Sequence, residues 1–202
     1  MRIVVLSSGG IDSTIMIKLL LKGGHRLFPL FVDYGQLAAD LEWKACQKMC
    51  KHLGLKPERM DVHGFGSLIP SGLTRSNMDI EKAAFVPTRN LLLLTLGAAY
   101  GYTKSAHVVA IGLIANPIFP DQTKEFISES EKTISQALGV NISILCPLIS
   151  LNKMDTLQLA RKHGLQLEQT YSCHSGTAQP CGRCISCKEK IEAEKALANH
   201  SS

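Results

Sequence analysis

The chain has 202 residues, 45% of them apolar, seven cysteines and a formal net charge of +5. That length suffices for one α/β domain with a sizeable core, residues 1–202 being read as one unit; no apolar run reaches the length of a membrane span, and no signal peptide is expected before the first strand. The positive charge is scattered, without an arginine-rich block or an aromatic-interleaved basic stripe, so a cytoplasmic protein acting on an anionic small molecule is expected, not one binding a nucleic acid or a membrane.

In chain order, the β-branched run at residues 3–6 reads as a buried parallel strand and "TIMIKLLL" (14–21) as the helix that follows a glycine turn. "RLFPLFVDYG" (26–35) supplies a second strand, and "LAADLEWKACQKMCKHLG" (37–54) an amphipathic helix with Leu37, Leu41, Ala45, Met49 and Leu53 at spacings of four. "RMDVHGF" (59–65) reads as a third strand running into "GSLIPSGLTRSNMDIEKAAF" (66–85), a polar stretch expected to be an irregular, mobile loop. Next come a buried helix (90–102), a strand "HVVAIGL" (107–113), a surface helix (122–138), a strand "ISILCPL" (142–148) and a helix "MDTLQLARKHG" (154–164). Alternating strands and helices predict a doubly wound, parallel, five-stranded sheet, with ligands at the carboxyl ends of strands where the strand order switches. The loop after the first strand, "DYG" after the second and "GLIANP" after the fourth all fall at such ends and can share one crevice.

Chemistry concentrates first in "LSSGGIDST" (6–14). Strand, glycine turn and helix N-terminus build an anion site, because the first helical N–H groups are unpaired and glycines let a ligand approach the backbone. A Walker A loop is excluded, since no lysine occurs before Lys18. Hydroxyls and backbone donors suit a departing pyrophosphate, and Asp12 offers a carboxylate to a Mg²⁺ held against it.

The second concentration is "CHSGTAQPCGRCISC", with Cys173, Cys181, Cys184 and Cys187 spaced as Cys-x7-Cys-x2-Cys-x2-Cys. Two C-x-x-C turns sharing Cys184 form a tight knuckle that Cys173 closes from across a loop. Four thiolates with no open position suit a structural Zn²⁺, with an iron–sulfur cluster or redox thiols as the alternatives. Arg183 and Lys188 are placed to offset the excess negative charge, and His174, which adjoins Cys173, reads as an exposed loop residue, the alternative being a ligand in place of one thiolate. Cys46, Cys50 and Cys146, in apolar contexts, read as small buried hydrophobes.

With these residues in hand, the "SGGIDST" loop resembles the SGGxDS loop of the N-type ATP pyrophosphatases, which share an adenine-nucleotide alpha-hydrolase-like fold. Together with "FVDYGQ" (31–36), "SGLTR" (71–75), "FVPTRN" (85–90), "FPDQTKEFI" (119–127), "CPLISLNKMDTLQLA" (146–160) and "TYSCHSGTAQPCGRCISC" (170–187), it is similar, over almost the whole chain, to the 7-cyano-7-deazaguanine synthases of queuosine biosynthesis. That resemblance implies a ligase that uses ATP and ammonia to convert 7-carboxy-7-deazaguanine into its nitrile through an adenylated carboxylate, an amide, and a second ATP-driven activation and dehydration. It assigns Ser8, Gly9, Gly10, Ile11, Asp12, Ser13 and Thr14 to the ATP-phosphate loop, walled by Leu6, Ser7, Ile15, Met16 and Ile17, with Asp12, Ser13 and Lys153 as the catalytic groups. Lys153 would balance phosphate charge; read without the resemblance, it is a solvated lysine in a first helical turn. Arg89 would grip a carboxylate or a purine edge, or else form a surface salt bridge. Asn90 and Asp121 complete the substrate set, Asp121 as a base-edge acceptor, while Tyr34 would stack on a base or sit in the core. The zinc segment spans residues 170–190.

Three features depart from the family pattern. "ANPIFPDQT" (115–123) replaces a longer Asp-aromatic-Ser-Gly-Tyr-Pro-Asp-Cys-Arg run, the stretch between Arg75 and Phe85 is short, and Asp155 stands where Glu is frequent. The first two read as marks of a divergent member, whose substrate could be a related heteroaromatic carboxylate. A sulfur-transferring, tRNA-modifying pyrophosphatase is the further alternative; 202 residues leave no room for an RNA-binding appendage. Exposed helices leave room for a homodimer.

Overall fold

A computed structural model describes residues 1–199, so the last three positions of the 1–202 unit lie outside the described residues. β1 (Arg2–Leu6), β2 (Arg26–Asp33), β3 (Glu58–Asp61), β4 (Val108–Ala110) and β5 (Ser143–Leu145) form one parallel sheet in the order β3-β2-β1-β4-β5. β1 lies at its centre because it is apolar on both faces. Its period of two sends Ile3 and Val5 into one core and Val4 and Leu6 into the other. The first core is completed by α1 (Ile11–Lys22), α6 (Lys153–Lys162) and α7 (Ile185–Asn199), the second by α4 (Arg89–Thr103) and α5 (Lys124–Leu138). α2 (Ala39–His52) packs through Cys46 and Cys50 on Phe31 of β2.

The predicted doubly wound sheet is therefore present, with local differences that have physical causes. β3 ends at Asp61, short of the expected 59–65 strand, because the Asp61 carboxylate accepts the His63 N–H at 2.9 Å and turns the chain into α3 (Gly64–Leu68). The stretch expected to be a mobile loop is instead tied down. Leu37 N–H donates to Leu73 O at 2.8 Å, Gly72 N–H to Ala83 O at 2.6 Å, and the buried hydroxyls of Ser71 and Thr74 bond within the segment. Leu73, Ala84 and Val86 bury their side chains there with Tyr34, a small core that polar composition concealed. α7 was not anticipated: its first turn carries Cys187, so the end of the cysteine segment is already helical. Asp155 completes a capping box with Asn152, each accepting the other's backbone N–H at 3.0 Å, a short-range geometry in which the shorter acid suffices at the start of α6.

Candidate active site and metal centre

The strand order reverses between β1 and β4, and the loops after both strands open there into a cleft of about 270 Å³. Leu6, Ser7, Ser8, Gly10, Asp12 and Ser13 line one end, Tyr34, Gln36 and Glu42 another, and Arg89 and Asn90 from the start of α4 a third. A smaller contiguous cavity of about 170 Å³ shares Asp12, Arg89 and His174 and adds Lys153 and Glu189. The glycine turn is built by close approach: Gly9 has φ +75°, and a Cβ there would stand 2.5 Å from Cys46 N and 2.6 Å from Glu42 O. The loop is thus pressed onto α2, leaving the α1 N-terminus facing the cleft.

Charge at the glycine-loop end of the cleft is paired across 141 positions of sequence. Lys153 Nζ donates to Asp12 Oδ2 at 2.7 Å and to Oδ1 at 2.9 Å, with the two side chains 10% and 27% exposed, so Lys153 is not the solvated lysine of an ordinary first turn. Glu189 of α7 lies close enough to feel both charges, and burial raises its carboxyl above the usual range. Ser13 Oγ and Thr14 Oγ1 donate to Gly10 O at 3.1 and 2.8 Å, and Ser8 Oγ lies 3.2 Å from Ser13 Oγ. Arg89 lies in the cleft against the Tyr34 hydroxyl, not in a surface salt bridge, and burial raises the Tyr34 phenol.

Behind the cleft, the Sγ atoms of Cys173, Cys181, Cys184 and Cys187 all lie within 4.8 Å of one another. Zn–S bonds of about 2.3 Å in a tetrahedron place sulfurs roughly 3.8 Å apart, so the cluster fits a closed four-thiolate site with little adjustment. Cys181 N–H points at Cys173 Sγ from 3.3 Å and Cys184 N–H at Cys181 Sγ from 3.4 Å, donors that stabilise thiolates. Lys188 does not offset the thiolate charge as expected: its Nζ pairs with Glu81 at 2.6 Å, clipping α7 to the 66–85 segment.

Comparison with known proteins decides the family. The queuosine biosynthesis protein QueC family matches residues 2–198. The chain belongs to this family. A 7-cyano-7-deazaguanine synthase from Caldicellulosiruptor bescii is 32% identical over 98% of this chain and 94% of its own length. Coverage that complete removes the expectation of a divergent member; the shortened loops are variation within the QueC family. The fold also resembles solved structures at low identity: NMN synthetase from Francisella tularensis (14% identical, TM-score 0.51, 99% of this chain and 84% of that one) and NH3-dependent NAD synthetase from Campylobacter jejuni (15%, 0.50, 98% and 75%).

Within this QueC-family chain, the structure brings Leu6, Ser7, Ser8, Gly10, Asp12 and Ser13 together with Arg89 and Asn90, and Lys153 joins them through Asp12. Ile11, Ile15, Met16 and Ile17 lie instead in the core beneath, 0–2% exposed, where they brace α1. Two expectations need correction. Asp121 is not on the cleft wall: its Oδ2 accepts Asn90 N–H at 3.1 Å and its carbonyl accepts Asn90 Nδ2 at 2.9 Å, so it caps the first turn of α4. His174 is not an exposed loop residue: it lines both cavities, its buried Nδ1 has no partner, and burial beside Arg89 and Lys153 pushes the imidazole down to about 4. Cys46 and Cys50 are buried as expected, Cys146 only partly.

Sequence reading missed Glu42, Gln36 and His174. A signal for Glu42 was present, since residues 42, 46 and 50 fall on one stripe of α2 and both cysteines read as buried. For His174 no such periodicity exists, because the fold of a cysteine loop sets where its intervening side chains point.

Proposed function

We propose that the protein is an ATP-dependent carbon–nitrogen ligase for queuosine biosynthesis: it adenylates the carboxylate of 7-carboxy-7-deazaguanine, ammonia displaces AMP to give the amide, and a second ATP adenylates the amide oxygen, which departs with AMP as the proton is lost to leave 7-cyano-7-deazaguanine. The observation that carries this reading is the end-to-end match to the QueC family, and the cleft supplies the matching chemistry. In this reading the backbone of Ser8–Ser13 and the α1 N-terminus take the ATP phosphates. Asp12 and Lys153 form an ion pair whose partners have complementary destinations. Asp12 would hold a Mg²⁺, which supplies neutralising charge for a leaving pyrophosphate, and Lys153 would move onto phosphate oxygen. Arg89 would orient the carboxylate as a forked donor, and Asp121 would act one step back by fixing Asn90. Cys173, Cys181, Cys184 and Cys187 would hold one structural Zn²⁺, which supplies cross-linking between the 170–184 loop and α7. We place the whole 1–202 unit in the cytoplasm; none of the described helices is long and apolar enough to cross a membrane.

The test is a defined incubation with ATP, 7-carboxy-7-deazaguanine and ammonium. AMP, pyrophosphate and the nitrile should accumulate together, and neither sulfide nor tRNA should replace ammonium and the deazapurine. ATP turnover that ignores this carboxylate but responds to another heteroaromatic carboxylate would remove the substrate assignment and leave the ligase chemistry.

A further inference from the structure

Asp121 gives Oδ2 to Asn90 N–H and buries Oδ1 without a partner off the cleft wall, so the cleft needs another acceptor for the donor edge of the heterocycle, and the carboxylates in and around it can be sorted by what already occupies them. Asp12 holds Lys153. Asp33 gives Oδ2 to Arg59 at 2.6 Å and Oδ1 to Gly35 N–H at 3.0 Å. Glu189 stands at the phosphate end beside Asp12 and Lys153. Glu42 is different. Its Oε2 accepts Gln36 Nε2 at 2.9 Å, and Gln36 is itself locked, with Oε1 accepting Tyr34 N–H at 3.0 Å and Nε2 reaching Val32 O at 3.4 Å. Glu42 Oε1 has no hydrogen-bond partner among the described residues, and the residue lines the cleft. Arg89 opens onto the same cleft and forms no ion pair among the described residues, with Glu42 or any other acid. An oriented carboxylate and an unpaired guanidinium kept apart in one recess suit a ligand with N–H donors at one end and an anion at the other.

We propose that Glu42 is a specificity-determining residue whose free Oε1, aimed by the Gln36 clamp, accepts the ring N–H and exocyclic amine of a 2-aminopyrimidinone edge while Arg89 takes the carboxylate end. The inference rests on the substrate class proposed above and names the residue that reads it. A site built to accept hydrogen bonds rejects ligands that lack the donors, because its acceptor, shut off from water by the bound ligand, is then left unpaired. The carboxylate belongs on α2 for a geometric reason: Glu42 O lies beneath Gly9, so one helix turn both supports the phosphate loop and presents this acceptor.

Calorimetric binding of 7-deazaguanine and of 7-deazahypoxanthine, which lacks the 2-amino group, tests the assignment without turnover. Wild-type protein should favour the amino compound by about 10-fold or more, the worth of a hydrogen bond to a charged group. Glu42→Ala should bring that ratio close to one, and in turnover the loss should fall on KM for the heterocycle. Glu42→Gln keeps the size and the Gln36 contact and serves where the alanine variant does not fold; it should lose about half of the preference on a logarithmic scale. An unchanged ratio in either folded variant, no preference in the wild type, or a fall in kcat with KM unmoved would overturn the role of Glu42. Failure to turn over 7-carboxy-7-deazaguanine with the binding preference intact would instead count against the proposed reaction.

Discussion

The cysteine knuckle and the cleft adjoin each other, yet they are built in opposite ways. Three of the four knuckle sulfurs come from seven consecutive residues, and the fourth is eight positions upstream. The cleft is assembled from the β1–α1 loop, the end of β2, the first turns of α2 and α4, and the residues flanking Cys173. A locally written site forms once the metal is bound, whereas a dispersed one needs the whole sheet in register. The two are nevertheless joined mechanically. Tyr171 N–H donates to Gly9 O at 3.0 Å, and a Cβ on Gly10 would lie 3.2 Å from Ser172 Oγ, so the segment leading into the knuckle is the outer wall of the glycine loop. Gly176, at φ +69°, lets the same loop close onto the Leu37 carbonyl.

If the knuckle is a strut for the cleft, breaking it should have the largest effect of any single change. Cys184→Ser, at a fully buried position shared by both C-x-x-C turns, should abolish metal content and soluble yield together, because structural zinc contributes directly to folding. Elemental analysis of the wild type should find about one zinc per chain. A metal-free wild-type protein with full activity and an unshifted Tm would end both the zinc assignment and the strut.

The converse experiment breaks the cleft and spares the knuckle. Asp12→Asn keeps shape but removes the charge opposite Lys153, and pyrophosphate release should fall by at least about 100-fold, the scale on which electrostatic stabilisation of a leaving group acts. Zinc content should not change. Near-normal turnover in the folded variant would remove Asp12 from the reaction.

What could be read beforehand follows the same division between local and dispersed. The glycine turn, the cysteine spacing and the alternation of strands and helices are short-range patterns, and the structure contains each of them, with β3 shortened and α3 and α7 added. Lys153 could be linked to the glycine loop only through the family resemblance, since no local rule pairs it with Asp12, 141 positions away. Asp121 was expected at the substrate because the sequence shows a carboxylate near the substrate loops, but not that the fold would bury it off the cleft wall with Oδ2 on Asn90 N–H. The 66–85 segment was misread because its order comes from tertiary hydrogen bonds and the Lys188–Glu81 clip, which composition does not encode.

Asp121 gives an intermediate test. As a cap on the first turn of α4, its replacement by alanine should cost about 0.5–2 kcal/mol of stability by denaturant titration. KM for the heterocycle should change less than in Glu42→Ala. A larger change in KM than that, with stability intact, would return Asp121 to the role of base-edge acceptor.

The smallest expected effect concerns Glu42 and pH. Burial raises its carboxyl from 4.5 to about 7, with Asp33 adding to the rise and Gln36 and Arg89 opposing it; Tyr34, Cys46 and Tyr171 are the other titratable groups facing it. The folded state therefore binds this proton more tightly than the unfolded chain does, so the contribution to stability is complete below about pH 4.5 and is lost as pH rises through 7. Glu42→Gln, neutral throughout, should match wild type near pH 4.5 and melt at least a few °C higher at pH 8.5. Saturating 7-deazaguanine should narrow that gap, because its N–H donors stabilise the ionised form that burial disfavours. A Tm difference that is the same at both pH values would show that the carboxyl ionises at its ordinary pKa, and that this end of the cleft carries no tension between folding and recognition.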